Sequence, residues 1–291
     1  MSVYKHDYRP FAGKVTPRWM RIYVLSRYGA AEAWSSKITV GLFVLSLLPL
    51  VIFLIGIYLA NNPLARALIV KGSSGAIDID AGYFLKMLEF QSWLALILTA
   101  WIAPRLISFD LADNALPILL SHPVSRFGYV LGKFLAMFMF LSIVTWIPCL
   151  LLFAYQAYSS PLPWFAAHLS IAAGLFSGAI LWITVLSILG LALSSWVKWR
   201  VVATGAIFAA VFVPAGVGAI MSAILRTRWG FLLNLPMMMS VLWQRMLGAH
   251  PIFAEKYALP TPAILAMLLA SCVCFVAMLN ARIRAREVVR G

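Results

Sequence analysis

The chain contains six apolar segments that are each long enough to cross a membrane as a helix. A spanning helix needs about 20 mostly apolar residues, because hydrocarbon offers no partner for an unpaired backbone group. The segments are Thr39–Ala60, Gln91–Phe109, Gly128–Tyr158, Ala166–Ser194, Val201–Leu225 and Thr261–Asn280. We therefore expect an all-α integral membrane protein with six transmembrane helices, whose membrane domain covers residues 39–280.

Composition and charge agree with this fold class and argue against a nucleic-acid-binding protein. The chain is 63% hydrophobic and 11% charged, with a formal net charge of +14. Nucleic-acid binding needs a soluble basic face, whereas the Lys and Arg residues here flank apolar runs. Most of them share one side of the membrane if the N-terminal segment 1–38 and the basic tail 281–291 are cytoplasmic. The positive-inside rule then predicts that both termini lie in the cytoplasm.

The stretch before the last span has two interpretations. A seventh span through Phe231–Leu247 would place Asn234, Gln244 and Arg245 in hydrocarbon, which is costly. It would also move the arginines of the C-terminal tail to the outer side. A pair of interfacial or re-entrant helices avoids both costs, and we expect that arrangement.

The segment before the first span has the pattern of a helix that lies in the membrane interface. Thr16 and Pro17 indicate its start, with Thr16 as the N-cap, and the helix can run to Ser36. One face carries Trp19, Tyr23, Ala30, Ala33 and Trp34, and the other carries Arg18, Arg21, Glu32 and Ser36. We predict an amphipathic elbow helix that contacts membrane lipid on the cytoplasmic side. The alternative is a cytosolic tail that its basic residues hold near anionic lipid.

The predicted spans carry few ionisable groups, which argues against coupling to an ion gradient. Charged residues inside a membrane are costly and usually serve a function. Lys86 and Glu89 fall before the outer end of the second span, and Arg105 lies within reach of its cytoplasmic end. The sequence also lacks a glycine-rich phosphate loop of the Walker A type. If the protein performs transport work, we expect another subunit to supply the energy.

The sequence gives only weak support for a metal site built from cysteine and methionine sulfur atoms. Cys272 and Cys274 are two residues apart and would not face each other on a helix. The methionines near position 237 suit an apolar interfacial helix equally well. We interpret His168, near the outer start of the fourth span, as a hydrogen-bonded interfacial residue rather than a proton relay.

The cytoplasmic segment 107–126, between the second and third spans, predicts a short helical stub. Asn114 can cap a helix of about two turns, and Pro123 ends it. The stub carries Leu116, Leu119 and Leu120 on one side. This apolar side can dock into a groove of a partner protein. The alternative is a tight loop whose leucines cover the end of the bundle.

Two further patterns predict close helix packing. Ser125 can cap the helix after the stub, and Gly128 and Gly132 then allow a neighbour to approach it closely. In the fourth span, Gly174 and Gly178 form a G-x-x-x-G pair. Such a pair permits close packing, either within the subunit or at a dimer contact.

At the residues around the stub, the chain resembles the permease subunits of ABC-2 type transporters. In that family the loop after the second span commonly carries an acid, a Gly-Thr pair, leucines, Ser-x-Pro-x-Ser-Arg and a Gly-Lys. The matching residues are Asp110, Leu116, Leu119, Leu120, Ser121, Pro123, Ser125, Arg126, Gly132 and Lys133. Asn114-Ala115 replaces the Gly-Thr pair, which alters the local turn. The six spans, the elbow and the long outer excursion extend the likeness over essentially the whole chain.

The resemblance implies half of a bacterial ABC exporter in the cytoplasmic (inner) membrane. Two copies of this permease, or this chain with a homologous permease, would associate with two cytosolic nucleotide-binding ATPase subunits. The chain would then be no enzyme and would hold no cofactor, since ATP and Mg²⁺ would bind to the ATPase subunits. The alternative function is a non-transporting anchor that transmits work from an ATPase to an extracytoplasmic partner.

The resemblance also implies roles for individual residues. The ATPase-coupling residues would be Asp110, Asp113, Asn114, Leu116, Leu119, Leu120, Ser121, Pro123 and Arg126. The elbow residues at the membrane interface would be Arg18, Trp19, Arg21, Tyr23 and Trp34. The family's pathway is lined largely by the second and fifth spans, so Thr99, Ser108 and Thr204 are candidates for facing it.

Overall fold

The computed structural model describes residues 16–62, 78–112, 125–161, 163–250 and 259–285. Within these ranges the chain is helical and contains no strand, which confirms the predicted all-α class for this part of the chain. The predicted stub lies outside the described residues. With it lie the coupling candidates Asp113, Asn114, Leu116, Leu119, Leu120, Ser121 and Pro123.

Six helical segments within the described ranges are long and apolar enough to cross a membrane, as predicted. The helices are α1 (Arg18–Trp34), α2 (Lys37–Asn61), α3 (Ala81–Ala112), α4 (Arg126–Val144), α5 (Trp146–Ser159), α6 (Pro163–Ala167), α7 (Leu169–Trp196), α8 (Arg200–Leu225), α9 (Leu235–Leu247) and α10 (Thr261–Ala285). The spans are α2, α3, α4 with α5, α7, α8 and α10.

The second span, α3, begins well before the predicted Gln91. Its first turn at Ala81 follows Asp80, whose carboxylate accepts a hydrogen bond from the Tyr83 N–H at 2.9 Å. Hydropathy excluded Lys86 and Glu89 from the span, but both residue types favour helix and do not interrupt it. The placement of Lys86 and Glu89 before the span is therefore wrong, and α3 carries more charge than the sequence pattern suggested.

The third span is two helices rather than the single continuous one that the apolar run suggested. The backbone breaks at Thr145, with φ −103° and ψ −86°, between α4 and α5. Pro148 has no N–H to donate to the carbonyl of Val144, so the helical ladder is interrupted here. The Leu141 carbonyl accepts hydrogen bonds from both the Thr145 N–H at 2.9 Å and the Thr145 hydroxyl at 2.7 Å.

The core of the bundle lies between α3 and α7. Both helices are largely buried, whereas α2, α8 and α10 leave most of their apolar surface exposed. Gly190 of α7 allows the approach, because a Cβ there would lie 2.8 Å from Thr99 Cγ2 and 2.9 Å from Ala103 Cβ of α3. The exposed apolar helices provide the surface that a membrane or a second subunit would cover.

The stretch before the last span forms two short helices, in agreement with the preferred interpretation. The 3-10 turn Trp229–Leu233 is followed by α9, whose 13 residues are too few to cross about 30 Å of hydrocarbon. Asn234 caps α9 by accepting a hydrogen bond from the Met237 N–H, and Gly248 ends it with φ +68°. The interfacial or re-entrant position of these helices stays a prediction.

The G-x-x-x-G pair of α7 packs against α9 within the subunit. A Cβ on Gly174 would lie 2.8 Å from the Met246 carbonyl oxygen, and one on Gly178 would lie 2.6 Å from Trp243 Cδ1. The Trp243 indole donates to the Gly178 carbonyl at 3.0 Å. These two glycines therefore hold α9 against the bundle.

The N-terminal helix α1 starts one residue later than its predicted first turn. Pro17 occupies the N-cap position in an extended conformation, and its carbonyl accepts from the Met20 and Arg21 N–H groups. The prediction of Thr16 as the N-cap is therefore wrong. The Thr16 carbonyl instead accepts from Arg21 Nε at 2.8 Å. The helix ends at Trp34, short of the predicted Ser36.

The predicted apolar face of α1 is divided between protein and surface. Ala30 and Ala33 are buried, and the Trp34 ring packs against Phe43 and Phe140. In contrast, Trp19 is 69% exposed and Tyr23 is 57% exposed, beside the exposed Arg18. The end of α1 nearest α2 is thus part of the bundle, and its first half leaves Trp19 and Tyr23 exposed; contact of these residues with lipid stays a prediction.

We predict that Gly174→Ala destabilises the protein by about 1–3 kcal/mol, because the added methyl group meets backbone atoms of α9 that cannot move independently. The matched control is Gly216→Ala in α8, where a Cβ meets nothing within 4 Å. There the higher helix propensity of Ala should leave stability unchanged or raise it by up to about 1 kcal/mol. Thermal unfolding in one detergent compares the two, and equal midpoints would contradict the tight α7–α9 contact.

Candidate functional site

A buried ion pair joins the two helices on either side of the predicted stub. Lys133 Nζ of α4 lies 2.8 Å from Asp110 Oδ2 of α3, and their side chains are 5% and 16% exposed. The Tyr129 hydroxyl donates to the same Asp110 oxygen at 2.7 Å. We call Asp110, Tyr129 and Lys133 the Asp110 junction. It closes the base of the chain segment that connects α3 to α4.

The first helix α1 reaches the same junction. A Cβ on Gly132 would lie 2.8 Å from Leu25 Cδ2 and 3.1 Å from Leu25 Cβ, so α1 packs closely on α4 at this glycine. On the same helix, Glu32 is exposed at the surface, but neighbouring protein partly excludes water from its carboxylate and raises its pKa above the ordinary 4.5, and the charge of Asp110 raises it further. The positive charges of Lys133 and Arg105 lower the pKa of Glu32 and so partly offset this rise. The electrostatic state of the junction therefore involves three helices.

The other described coupling candidate, Arg126, is the first residue of α4. The Ser125 hydroxyl oxygen before it accepts a hydrogen bond from the Gly128 N–H at 3.1 Å, which confirms the predicted cap. The sequence pattern named Lys133 only as the end of a motif and did not identify it as the partner of Asp110. Because Lys133 lies two turns into an apolar helix, only the packing of α3 on α4 reveals this pair.

The three pathway candidates use their hydroxyl groups on backbone carbonyls. Thr99 donates to Ala95 of its own helix at 2.7 Å, and Ser108 donates to Ser194 of α7 at 3.0 Å. Thr204 of α8 donates at 2.9 Å to the Ala100 carbonyl of α3. Pro104 cannot provide the N–H that this carbonyl would receive in a regular helix. Thr204 thus supplies the hydrogen bond that the Ala100 carbonyl of α3 lacks. A pathway role for the three residues stays a prediction.

Two arginines meet one aromatic ring where α3 and α8 approach the predicted cytoplasmic side. The Arg200 guanidinium carbon lies 3.9 Å from the centre of the Trp101 ring, and that of Arg105 lies 5.7 Å from it. Both guanidinium groups lie over this ring as cation–π partners, and Arg105 Nε and Arg200 Nη2 are buried with no hydrogen-bond partner among the described residues. That Arg105 reaches the cytoplasmic end of its span stays a prediction.

Glu89 is the second charged group that the structure brings into the bundle. Its Oε1 accepts a hydrogen bond from the Ser240 hydroxyl of α9, and Gln244 Nε2 donates to that hydroxyl at 3.3 Å. The side chain lines a cavity of about 370 Å³ between α3, α7, α8 and α9, which we call the Glu89 cavity. The charge of Glu89 is evident from the sequence, but the predicted start of the second span at Gln91 left this residue outside the span.

The hydrogen bond predicted for His168 is present, whereas its interfacial position stays a prediction. His168 Nδ1 lies 2.8 Å from the Trp164 carbonyl oxygen, and the imidazole stacks on the Trp164 ring with centroids 4.4 Å apart. These two contacts fix the His168 ring just before the start of α7.

No family model matches the chain, and no curated protein matches it either. The case for a function therefore rests on the chain's own residues and on their geometry.

We predict that Lys133→Met destabilises the protein by about 3 kcal/mol, because it leaves the Asp110 carboxylate buried without its cation. The double variant Asp110→Asn with Lys133→Met should recover most of this loss, since no charge is then buried alone. Thermal unfolding of the wild type, the single variants Asp110→Asn and Lys133→Met, and the double variant in one detergent measures the coupling. Lys198→Met removes an exposed lysine and should have little effect. Additive losses in the double variant would contradict the pairing.

The raised pKa of Glu32 predicts a pH-dependent stability. A carboxyl group whose pKa is higher in the folded protein stabilises the fold below its ordinary value of 4.5, and this contribution is lost as pH rises through the folded value. Glu32→Gln should therefore become more stable relative to the wild type as the pH is raised from below 4.5 to neutrality. Unfolding midpoints across that interval test this, with the exposed Asp78→Asn as control. A constant difference would contradict it.

Proposed function

We propose that this protein is the transmembrane permease subunit of an ATP-driven ABC exporter of the ABC-2 type. In this proposal it forms half of a dimeric translocation pathway in the bacterial cytoplasmic membrane, with both termini inside. Separate cytosolic ATPase subunits supply the energy and hold ATP and Mg²⁺. The observation that supports the proposal most directly is the Asp110 junction at the base of the segment 113–124.

The junction has the mechanical property that a coupling element needs. A force on a loop moves two helices together only if the helices are joined at the loop's base. Asp110 of α3 is joined to Lys133 and Tyr129 of α4, and the charge-assisted bonds are short and largely shielded from solvent. A partner that moves the segment 113–124 would therefore displace α3 and α4 as one unit.

The position of α3 explains how such a displacement could reach the rest of the bundle. This helix contacts α7 through Gly190 and is bonded to α8 through Thr204. Packed helices shift between discrete arrangements rather than deform continuously. A rotation of α3 and α4 would thus alter the contacts of the fourth and fifth spans, as alternation between inward-facing and outward-facing states requires.

A second permease copy has available surface on the outer helices. Apolar side chains are exposed along α2, α8 and α10, including Ile52, Phe212, Val213, Ile220 and Leu269. Lipid covers part of this surface in a membrane, and in the proposal the other permease covers the remainder.

The test is co-purification and conformational coupling with the ATPase encoded next to this chain. We expect the two to form a stable complex in which ATP changes the alkylation rate of a cysteine introduced by Tyr158→Cys, a site 89% exposed near the end of α5. Leu119→Asp should abolish both the complex and the ATP effect, because a charge replaces an apolar docking group. Leu119→Met keeps the apolar character and should retain both.

Three results would contradict the proposal. The first is a failure of any ATPase to bind. The second is full function of Leu119→Asp. The third is vectorial activity of the lone subunit without nucleotide. ATP turnover that depends on an extracytoplasmic protein and moves no solute would instead support the alternative of a mechanical anchor.

A further inference from the structure

The walls of the Glu89 cavity combine aromatic rings with one carboxylate. The cavity has a volume of about 370 Å³ and lies between α3, α7, α8 and α9. Its aromatic lining consists of Trp93, Trp182, Phe212 and Trp243. Among the described residues that line it, Glu89 is the one with a formal charge. Its volume falls within the range of about 300–1,000 Å³ that small-molecule sites occupy.

Two of the aromatic rings are held in place by hydrogen bonds to backbone carbonyls. The Trp182 indole donates to the Ser92 carbonyl at 3.2 Å, and the Trp243 indole donates to the Gly178 carbonyl at 3.0 Å. These two rings meet edge to face, with centroids 5.9 Å apart. Because both indole N–H groups already have acceptors, these rings contribute aromatic carbon surface to the cavity rather than hydrogen-bond donors. The negative π faces of such rings attract cations.

The Glu89 carboxylate has neutral partners only. Its described hydrogen bond comes from the Ser240 hydroxyl, and no Lys, Arg or His within the described ranges forms an ion pair with it. An ionised carboxylate in a membrane-spanning helix is costly unless a positive charge or polar groups compensate it. Asp110 on the same helix has such a cation in Lys133, whereas Glu89 faces a cavity.

We propose that the Glu89 cavity binds an organic cation, with the cationic group at the Glu89 carboxylate and the apolar part against the rings of Trp93, Phe212 and the two buried tryptophans. An anion would be repelled by Glu89, and a neutral apolar molecule would leave its charge uncompensated. This inference goes beyond the exporter proposal, because the ligand class follows from the cavity walls. Binding requires neither nucleotide nor an ATPase subunit.

The contribution of the carboxylate is tested by direct binding to the full chain in nanodiscs, without nucleotide. The probe is radiolabelled tetraphenylphosphonium, a bulky apolar cation, and its shape-matched anion tetraphenylborate is the competitor. We expect saturable binding of the cation that the anion does not displace. Glu89→Gln should weaken binding by at least about tenfold, because the side-chain carbonyl can still accept from Ser240 but the charge is gone. Glu89→Asp keeps the charge and should retain part of the affinity.

Two matched controls separate the cavity from general effects. Asp78→Asn removes one negative charge just before α3, outside the cavity, and should leave binding unchanged. Phe212→Leu should weaken binding about three- to fivefold through the lost ring, whereas Phe90→Leu, an exposed ring on α3 that does not line the cavity, should not. Unfolding midpoints and size-exclusion profiles verify that each variant is folded.

The inference would be overturned by any of three results in folded protein: no saturable binding of the cation to the wild type, equal affinity in Glu89→Gln, or equal displacement by the anion. Because the assay contains no ATPase, such a failure leaves the exporter proposal intact. Conversely, cation binding without ATPase association would support the cavity and contradict the exporter.

Discussion

The close packing of α3 on α7 is the contact on which the rest of the structure depends. Gly190 brings the helices so near that an added Cβ would lie 2.8 Å from Thr99 Cγ2. This contact places α3 in the middle of the bundle, with Asp110 near one end and Glu89 nearer the other. At 1.5 Å per residue, the two carboxylates are separated by about 30 Å of helix. A single buried helix therefore connects the Asp110 junction with the Glu89 cavity.

The two carboxylates of α3 differ in how their charge is compensated. The Asp110 carboxylate pairs with the Lys133 cation and accepts a hydrogen bond from the Tyr129 hydroxyl. Both contacts join α3 to α4 within the protein. Glu89 has the Ser240 hydroxyl, which orients the carboxylate without neutralising it. A compensated charge stabilises a junction, whereas an uncompensated one at a cavity attracts a ligand of opposite sign. In the two proposals made above, the same residue class has a mechanical role at one end of α3 and a binding role at the other.

Local signals predicted much of the fold but set some boundaries wrongly. Ser125 caps α4 as its pattern indicated, and Asn234 and Gly248 delimit a helix too short to span. The start of α3 was missed because hydropathy counts Glu89 as a break, although glutamate is a good helix former. The division of the third span at Thr145 was missed because the apolar run continues through it. Hydropathy measures membrane preference, whereas caps and prolines determine where helices begin and end.

The sequence by itself determined the helical class, the six apolar spans and the paired short helices before the last one. It could do so because helical hydrogen bonds are local and apolar runs are contiguous. Only the tertiary structure decided which polar groups meet: Tyr129 with Asp110, 19 residues apart, and Ser240 with Glu89, 151 residues apart. These pairs depend on which helix faces turn toward each other. Glycines such as Gly190 and Gly178 influence that choice, because they permit close approach of a neighbouring helix.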